Sequence, residues 1–311
     1  MRSRAPLAAS LAACLLPALL AAGEPPLPRG LLLDGAVSGS VAIVVGERGS
    51  IWASRAPTSG WRRADSPTRA TLTGVALAPP TADGGPAVGW AVGHDALVLG
   101  TRDGGATWTR QYQGENLQDS FLDVLALDAR HAIAVGAYGL YLSTRDGGAT
   151  WERRQVCEGD AHLNRISRSA AGTLFLAGES GTLLRSRDEG LNWTPLRAPY
   201  EGSFHGVLPL DRRSLIAHGL RGHLYRSADE GDTWQEIPPP VVGLLATGLR
   251  LRSNLILIGG PPRALALSRD YGRTFSLVPG APATAVAELI ELPDGSVLAL
   301  GEAGATPVIL P

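Results

Sequence analysis

The sequence predicts an all-β fold, a seven-bladed β-propeller that follows an N-terminal signal peptide. An eight-residue box recurs along the chain at intervals of 41 to 43 residues. The segments between the boxes are short apolar runs bounded by Gly, Asp or Ser, and helical periodicity is absent after residue 23. Four short strands in each unit of this length are typical of a propeller blade.

The first 23 residues have the features of a secretory signal. Arg2 and Arg4 supply positive charge, and the uncharged apolar stretch that follows is short for a membrane span and ends in small residues. We therefore expect residues 1–23 to be a signal peptide, residues 24–311 to form the propeller, and the mature protein to be exported to the periplasm. An alternative stays open, because residues 11–14 resemble a lipoprotein cleavage box and Cys14 would then carry a lipid anchor.

The repeated box is best preserved in two copies. Residues 101–108 and 144–151 both read Thr-Arg-Asp-Gly-Gly-Ala-Thr-Trp, and a degenerate copy at 54–61 keeps its Trp but has lost the Asp. Three weaker copies retain the Asp, the Gly two positions later and a final aromatic residue. The structural box residues predicted in this way are Asp103, Gly105, Trp108, Asp146, Gly148, Trp151, Asp188, Gly190, Trp193, Asp229, Gly231, Trp234, Asp270, Gly272 and Phe275.

The composition of the box predicts a tight turn between the third and fourth strands of each blade. The Asp carboxylate can accept hydrogen bonds from turn amides, and the Gly permits a positive φ. The final aromatic residue is an anchor, since burial of about 200 Å² at about 25 cal/mol per Å² corresponds to roughly 5 kcal/mol before opposing terms. We interpret the five aspartates as turn architecture rather than as catalytic acids.

Seven units are marked by a glycine that ends the second strand, and the last unit is shorter than the others. The marker glycines are Gly46, Gly93, Gly136, Gly178, Gly219, Gly260 and Gly301. Extra length in the second unit fits an insertion near residues 79–86. The seventh unit ends after its third strand, and residues 24–30, which remain to complete it, contain three prolines that cannot donate to a β-ladder. We therefore predict an incomplete seventh blade.

Composition and motif spacing exclude several functions. The 28 basic residues, all Arg, balance 29 acidic residues, which argues against broad nucleic-acid binding. Cys157 is the only cysteine after the leader, so neither an intramolecular disulfide nor a cysteine metal cluster can form. The six histidines lack metal-ligand spacing, and no loop gathers the carboxylates that Ca²⁺ prefers. We predict no catalytic residue, no metal and no cofactor.

These repeats resemble the Asp-box, or BNR, repeats of sialidases and related propellers. Seven short units behind a leader are similar to the arrangement in the photosystem II stability/assembly factor family. That resemblance implies a non-catalytic exported scaffold that binds a protein partner, a membrane-protein complex or its precursor. In a photosynthetic organism this complex would be photosystem II. It also implies that arginines contact the partner.

A carbohydrate-active propeller, either sialidase-like or lectin-like, is the alternative function. Sialidases add an arginine triad, a tyrosine nucleophile and usually a Phe-Arg-Ile-Pro string, and this string is absent here. The central channel distinguishes the two functions. In an enzyme, arginine, tyrosine and carboxylate side chains would cluster in the channel. In a scaffold, we expect the channel to be lined with small and apolar residues.

The strand order assigns the loops to two faces of the propeller. Turns that join the first strand to the second and the third to the fourth lie on one face, here named the box face. Arginines in the second position of the box should stand on equivalent turns of successive blades, where they could bind an acidic partner. These candidate partner-binding residues are Arg102, Arg145, Arg187 and Arg269. We expect the protein to be a monomer, with no nucleic-acid partner.

Overall fold

The computed structural model describes residues 27–55, 60–82 and 84–311, and within them it contains seven antiparallel sheets. The predicted signal peptide and Cys14 lie outside the described residues. Each sheet is a blade, and its first strand contacts the first strands of the two neighbouring blades, so that the last blade meets the first. The prediction of a seven-bladed β-propeller is confirmed.

Six blades have four described strands and the seventh has three, arranged in chain order across each sheet. The strands are β1 Leu32–Ser38, β2 Val41–Gly46, β3 Ile51–Ser54 and β4 Arg62–Arg63 in blade 1; β5 Leu72–Leu77, β6 Gly89–Gly93, β7 Leu97–Thr101 and β8 Thr109–Gln113 in blade 2; β9 Phe121–Ala126, β10 Ala132–Gly136, β11 Tyr141–Thr144 and β12 Glu152–Arg153 in blade 3; β13 Leu163–Arg168, β14 Leu174–Gly178, β15 Leu183–Ser186 and β16 Thr194–Pro195 in blade 4; β17 Phe204–Pro209, β18 Leu215–Gly219, β19 Leu224–Ser227 and β20 Gln235–Glu236 in blade 5; β21 Thr247–Arg250, β22 Ile256–Gly259, β23 Ala266–Ser268 and β24 Ser276–Leu277 in blade 6; and β25 Val286–Glu291, β26 Val297–Gly301 and β27 Gly304–Val308 in blade 7.

Helical structure in the described residues is limited to short 3₁₀ segments that follow the second strands of three blades. Their bounds are Glu47–Gly49, Ala137–Gly139 and Leu220–Gly222. None of the described segments is a helix with the length and apolarity needed to cross a membrane.

The core of the molecule lies between the blades. Second strands such as β10 are buried along their whole length, because a neighbouring blade covers each face of the sheet. The buried apolar side chains form seven clusters within the described residues, each shared by two adjacent blades. The fourth strands, by contrast, are short and mostly exposed. Sheet-to-sheet packing therefore holds the ring together.

Within the described residues, ring closure uses side-chain packing and a backbone hydrogen bond between Pro28 and blade 7. Trp61, the aromatic residue kept by the degenerate box, is buried against Ile290, Leu298 and other side chains of blade 7. The amide of Ala305 in β27 donates to the carbonyl oxygen of Pro28 at 2.9 Å. Proline supplies only a carbonyl acceptor here, as its missing N–H requires. The described part of blade 7 has three strands, as the sequence predicted.

Candidate functional site

The box turn is a closed hydrogen-bonded loop centred on its aspartate. In blade 2, Asp103 Oδ1 accepts from the amide of Thr107 at 2.9 Å and from the hydroxyl of Thr101 at 2.9 Å, while Oδ2 accepts from the Thr107 hydroxyl at 2.6 Å. The Thr101 hydroxyl in turn accepts from the amide of Gly105 at 3.0 Å. The same contacts recur around Asp146, Asp188, Asp229 and Asp270.

These contacts favour the ionised aspartates. Hydrogen bonds from Thr150, first from its hydroxyl and then from its amide, lower the pKa of Asp146 to about 2. At Asp103 burial opposes ionisation, but hydrogen bonds from Thr107 and Thr101 still lower the pKa of the carboxyl. An aspartate bonded in this way has few free acceptor sites. The geometry supports the interpretation of the box as turn architecture.

The two glycines of the best-preserved boxes occupy left-handed backbone positions. Gly147 and Gly148 have φ of 76° and 87°, whereas other boxes place Glu189 or Glu230 at the first of these positions, with φ of 58° and 61°. Only glycine adopts such angles without steric cost. The Gly-Gly pair therefore reflects two successive left-handed residues rather than any chemistry.

The box aromatic residues pack against the preceding blade, and their burial differs. Trp108 is 6% exposed within the cluster shared by blades 1 and 2, and its Nε1 donates to the carbonyl oxygen of Gly105 at 3.2 Å. Trp151 is half-buried, and its Nε1 has no hydrogen-bond partner. Trp193, Trp234 and Phe275 are half-buried in the corresponding places of later blades.

Two of the four candidate partner-binding arginines bond to backbone carbonyl groups of the repeat that follows. Arg102 Nη2 donates to the carbonyl oxygen of Gly147, in the next box, at 2.9 Å. Arg269 Nη2 donates to the carbonyl oxygen of Pro311 at 2.7 Å. Each guanidinium thus joins its own blade to the next.

The other two arginines pair with glutamates at the fourth position of the following box. Arg187 Nη2 lies 2.6 Å from Glu230 Oε2, and Arg145 Nη1 lies 3.8 Å from Glu189 Oε2. Both arginine side chains remain more than half exposed. All four arginines stand on box turns of their blades, and each guanidinium contacts the repeat that follows.

Other arginines of the box face are uncommitted. Arg130, Arg212 and Arg213 are exposed on turns that join first and second strands. Within the described parts of the chain, no hydrogen bond or ion pair of their guanidinium groups is found. These turns lie nearer to the channel than the boxes do, because the first strand is the innermost strand of each blade. The sequence alone did not separate these residues from the tied arginines.

A buried charged cluster, absent from the sequence predictions, lies in the central channel. Arg165 projects from β13, and its Nη1 forms a hydrogen bond with Glu288 Oε2 from β25. Its Nη2 lies 3.7 Å from Asp34 Oδ1, and its Nε lies 3.9 Å from Asp123 Oδ2. The three carboxyl side chains are all less than a tenth exposed. The expectation of a small and apolar channel is wrong at this level.

The channel carboxylates also connect blades through backbone amides. Asp34 Oδ2 accepts from the amide of Val75 in blade 2 at 2.7 Å, and Asp123 Oδ2 accepts from the amide of Ile166 in blade 4 at 2.9 Å. Glu288 accepts from the Thr247 hydroxyl of blade 6. Removal of any one carboxylate would leave a donor of a neighbouring blade unpaired.

Burial and like charge raise the pKa values of two channel carboxyls. Burial raises the pKa of Asp123 to about 6, opposed by the charge of Arg165 and by the amides of Ile166 and Val124. Burial likewise raises the pKa of Asp34 well above its ordinary range, against the attraction of Arg165. One guanidinium therefore does not compensate three carboxylates at this depth.

The positions of this cluster follow from register. Asp34 comes two residues after Leu32, which pairs with the marker Gly46, and a β-bulge separates the two. Asp123, Arg165 and Glu288 hold the same place in their blades. A bulge re-aims the side chain that follows it, here into the channel. The other blades carry Gly or Thr at this place, so the repeat pattern shows no common residue type.

The remaining polar residues singled out in the sequence are dispersed. Cys157 is a half-buried free thiol, and burial raises its pKa. His205 lies within β17. In the described residues, no group of three or more His, Cys, Asp or Glu side chains is arranged to hold a metal ion. The cavity beside the channel cluster has no tyrosine among its described lining residues.

Part of the chain matches a known protein family. Residues 111–253, from β8 to the turn after β21, match the family described as photosynthesis system II assembly factor YCF48. The predicted resemblance to photosystem II assembly factor-like propellers is confirmed. A search of curated proteins finds no match.

Solved structures similar to this chain include two YCF48 proteins. The structure titled "YCF48 bound to D1 peptide" is 20% identical, has a TM-score of 0.71, and is matched over 91% of this chain and 93% of its own. YCF48 from Cyanidioschyzon merolae is 16% identical, with a TM-score of 0.70 and coverages of 91% and 96%. The WD40 propeller domain of Doa1 is 11% identical, with a TM-score of 0.70 and coverages of 91% and 93%. At these identities the similarity shows the fold alone.

Proposed function

We propose that this assembly factor-like propeller is an exported, non-catalytic scaffold that binds a segment of a membrane protein while its complex is assembled. The observation that carries the proposal is the match of residues 111–253 to the assembly factor family. A structural neighbour is bound to a D1 peptide, which supports a protein segment as the ligand. In this proposal residues 1–23 are the export signal, and residues 24–311 are the mature protein.

The box face is the binding surface in this proposal. Arg130, Arg212 and Arg213 are exposed there, and their planar guanidinium groups suit bidentate contacts with carboxylates. The four box arginines contribute less than their number suggests, because each already contacts the following repeat. An acidic segment laid across the turns of blades 3 and 5 would also pass the mouth of the channel.

The alternative, a carbohydrate-active propeller, is supported by one observation. Arg165 and three carboxylates converge in the channel, as in part of the arrangement expected for a sialidase. Against it, each carboxylate accepts a hydrogen bond from a neighbouring blade and lies close to Arg165. The described lining of the adjacent cavity also contains no tyrosine. The scaffold function fits these residues better.

The proposal is tested by capture of a fluorescent D1 peptide in three variants of the mature protein. We expect the triple Arg→Gln change at 130, 212 and 213 to weaken binding by roughly tenfold or more, mainly through the association rate at low salt. The box variant, Arg→Gln at 102, 145, 187 and 269, should lower the melting temperature and weaken binding less. The matched control replaces Arg48, Arg221 and Arg263, on the opposite face, with Gln and should bind normally.

Two results would contradict the scaffold proposal. Equal affinity for the D1 peptide in the box-face triple variant and the opposite-face control would show that the binding surface does not lie on the box face. Hydrolysis of a fluorogenic sialoside by the wild-type protein, lost on Asp123→Asn, would establish the carbohydrate-active alternative.

A further inference from the structure

The channel cluster borders a cavity in which hydrogen-bond acceptors outnumber donors. The cavity has a volume of about 220 Å³ and is lined by Asp34, Asp123, Arg165, His218 and Glu288, among others. Its walls continue through residues 166–167 and 207–209, which follow the cluster along their strands towards the box face. Three carboxylates thus face one guanidinium in a space open on that side.

His218 adds an independent acceptor to this cavity. The residue is 2% exposed, and its Nδ1 lies 2.9 Å from the carbonyl oxygen of Leu245. A carbonyl can only accept, so Nδ1 carries the proton and Nε2 presents a lone pair. Burial lowers the pKa of His218 to about 4, which keeps the ring neutral at physiological pH.

His218 lines the cavity, and its Nε2 lies beside two inner-strand glycines. A Cβ built on Gly206 or on Gly248 would lie 2.6 Å or 3.3 Å from this atom, so Nε2 occupies the space that the two glycines leave open. No hydrogen bond to Nε2 is formed within the described parts of the chain. Nε2 is therefore an acceptor at the cavity wall, and a ligand that donates a hydrogen bond would pair with it.

We propose that the channel cavity binds a primary ammonium group, which enters from the box face. The ammonium donates hydrogen bonds to Nε2 of His218 and to carboxylate oxygens of Asp34 and Asp123. Its positive charge supplements that of Arg165 against the three carboxylates. This inference does not depend on the proposed function.

The cavity fits an ammonium better than other ions. An anion would meet three carboxylates and a lone pair. A metal ion would need several ligands in one coordination sphere, and the described side chains offer no such group. An ammonium is compact, carries three donors and sits on a narrow aliphatic stem. A primary ammonium group of this kind is present both in a small free amine and in a lysine side chain of a partner polypeptide.

Binding should release protons, because a second cation stabilises the ionised carboxyls. Burial raises the pKa of Asp123 to about 6, so that part of its population is protonated when the cavity holds only Arg165, and burial shifts the pKa of Asp34 in the same direction. The ammonium displaces that proton to the buffer. Proton release is a property of the unmodified protein and needs no variant to be measured.

The test is calorimetric titration of the mature chain with n-butylammonium chloride at pH 6.5, with tetramethylammonium chloride as the matched cation without N–H donors. We expect saturable binding of butylammonium, and binding of tetramethylammonium that is weaker by roughly tenfold or more. We also expect net proton release, measured as the change in observed binding enthalpy between buffers of different ionisation enthalpy. Asp123→Asn and His218→Phe should each weaken butylammonium binding by roughly tenfold. The control, Asp95→Asn, removes one charge on the opposite face and should bind normally.

A second arm distinguishes the two sources of the ammonium. A lysine-containing peptide that binds more tightly than butylammonium, and not at all once its lysine is acetylated, supports a partner side chain. Weaker binding of the peptide than of butylammonium supports a small amine. The inference is overturned by absence of saturable binding at about 10 mM butylammonium, by equal binding of the two cations, or by unchanged affinity in both channel variants.

Discussion

Gly148 shows how a single residue fixes the box turn. Its φ of 87° is left-handed, and a Cβ placed there would lie 1.7 Å from Gln111 Oε1. That oxygen accepts from Nε1 of the buried Trp90 at 2.9 Å. We expect Gly148→Ala to lower the free energy of unfolding by about 2–4 kcal/mol, from backbone strain and displacement of Gln111. Gly39→Ala is the matched control, because Gly39 also has positive φ but open space around it, and about 1 kcal/mol is expected there. Equal losses in urea unfolding would show that the Gln111 contact is unimportant.

Sequence reasoning reached the box but not the channel, for a reason visible in particular residues. Asp103 and Gly105 recur with the same residue type in the other four copies that keep the box, so their common turn could be inferred. Asp34 and Arg165 also occupy equivalent positions, but the residue type changes from blade to blade and no pattern results. Their convergence depends on the register of seven inner strands and on the bulges that turn these side chains inward. Likewise, the second box position was identified from the sequence, but the contact of each arginine with the next repeat required the geometry of the ring.

At the scale of the strand and its anchor, the box aromatics differ more than their shared position suggests. Trp108 is 6% exposed, and removal of its side chain should cost about 3–5 kcal/mol. The contribution of the indole hydrogen bond is isolated by replacement of Trp108 and, separately, of Trp151 with Phe. Trp108→Phe loses the hydrogen bond to Gly105, whereas Trp151→Phe removes an indole N–H without a partner. We expect Trp108→Phe to be the less stable of the two by about 1 kcal/mol in urea unfolding. Phe275, the natural residue of the sixth copy, shows that the position accepts phenylalanine. The reverse order of stability would mean that the indole bond contributes little.

For the whole molecule, the channel cluster makes ring stability depend on pH. Burial raises the pKa of Asp123 to about 6, above its unfolded value of about 3.9. The folded state therefore binds more protons than the unfolded state between these values, and this residue favours folding at low pH and opposes it as the pH rises through 6. The raised pKa of Asp34 changes the stability in the same direction, and Arg165 and Glu288 are the charged groups that face both aspartates. His218 changes the stability in the opposite direction. Its lowered pKa means that stability is lost as the pH falls from about 6.5 towards 4.

These opposing terms are separated by the difference between variants rather than by one melting curve. We expect the stability of Asp123→Asn relative to wild type to rise by roughly 2 kcal/mol from pH 4.5 to pH 7.5, because asparagine has no charge to bury. The control is Asp146→Asn. Thr150 lowers the pKa of Asp146 to about 2, so this carboxyl is ionised in the folded state throughout the range and its removal should give a nearly constant difference above pH 5. Urea unfolding at four pH values measures both differences. A flat difference for Asp123→Asn would mean that Arg165 keeps Asp123 ionised at all these pH values, and the channel would then be a permanently charged brace between blades instead of a proton-linked one.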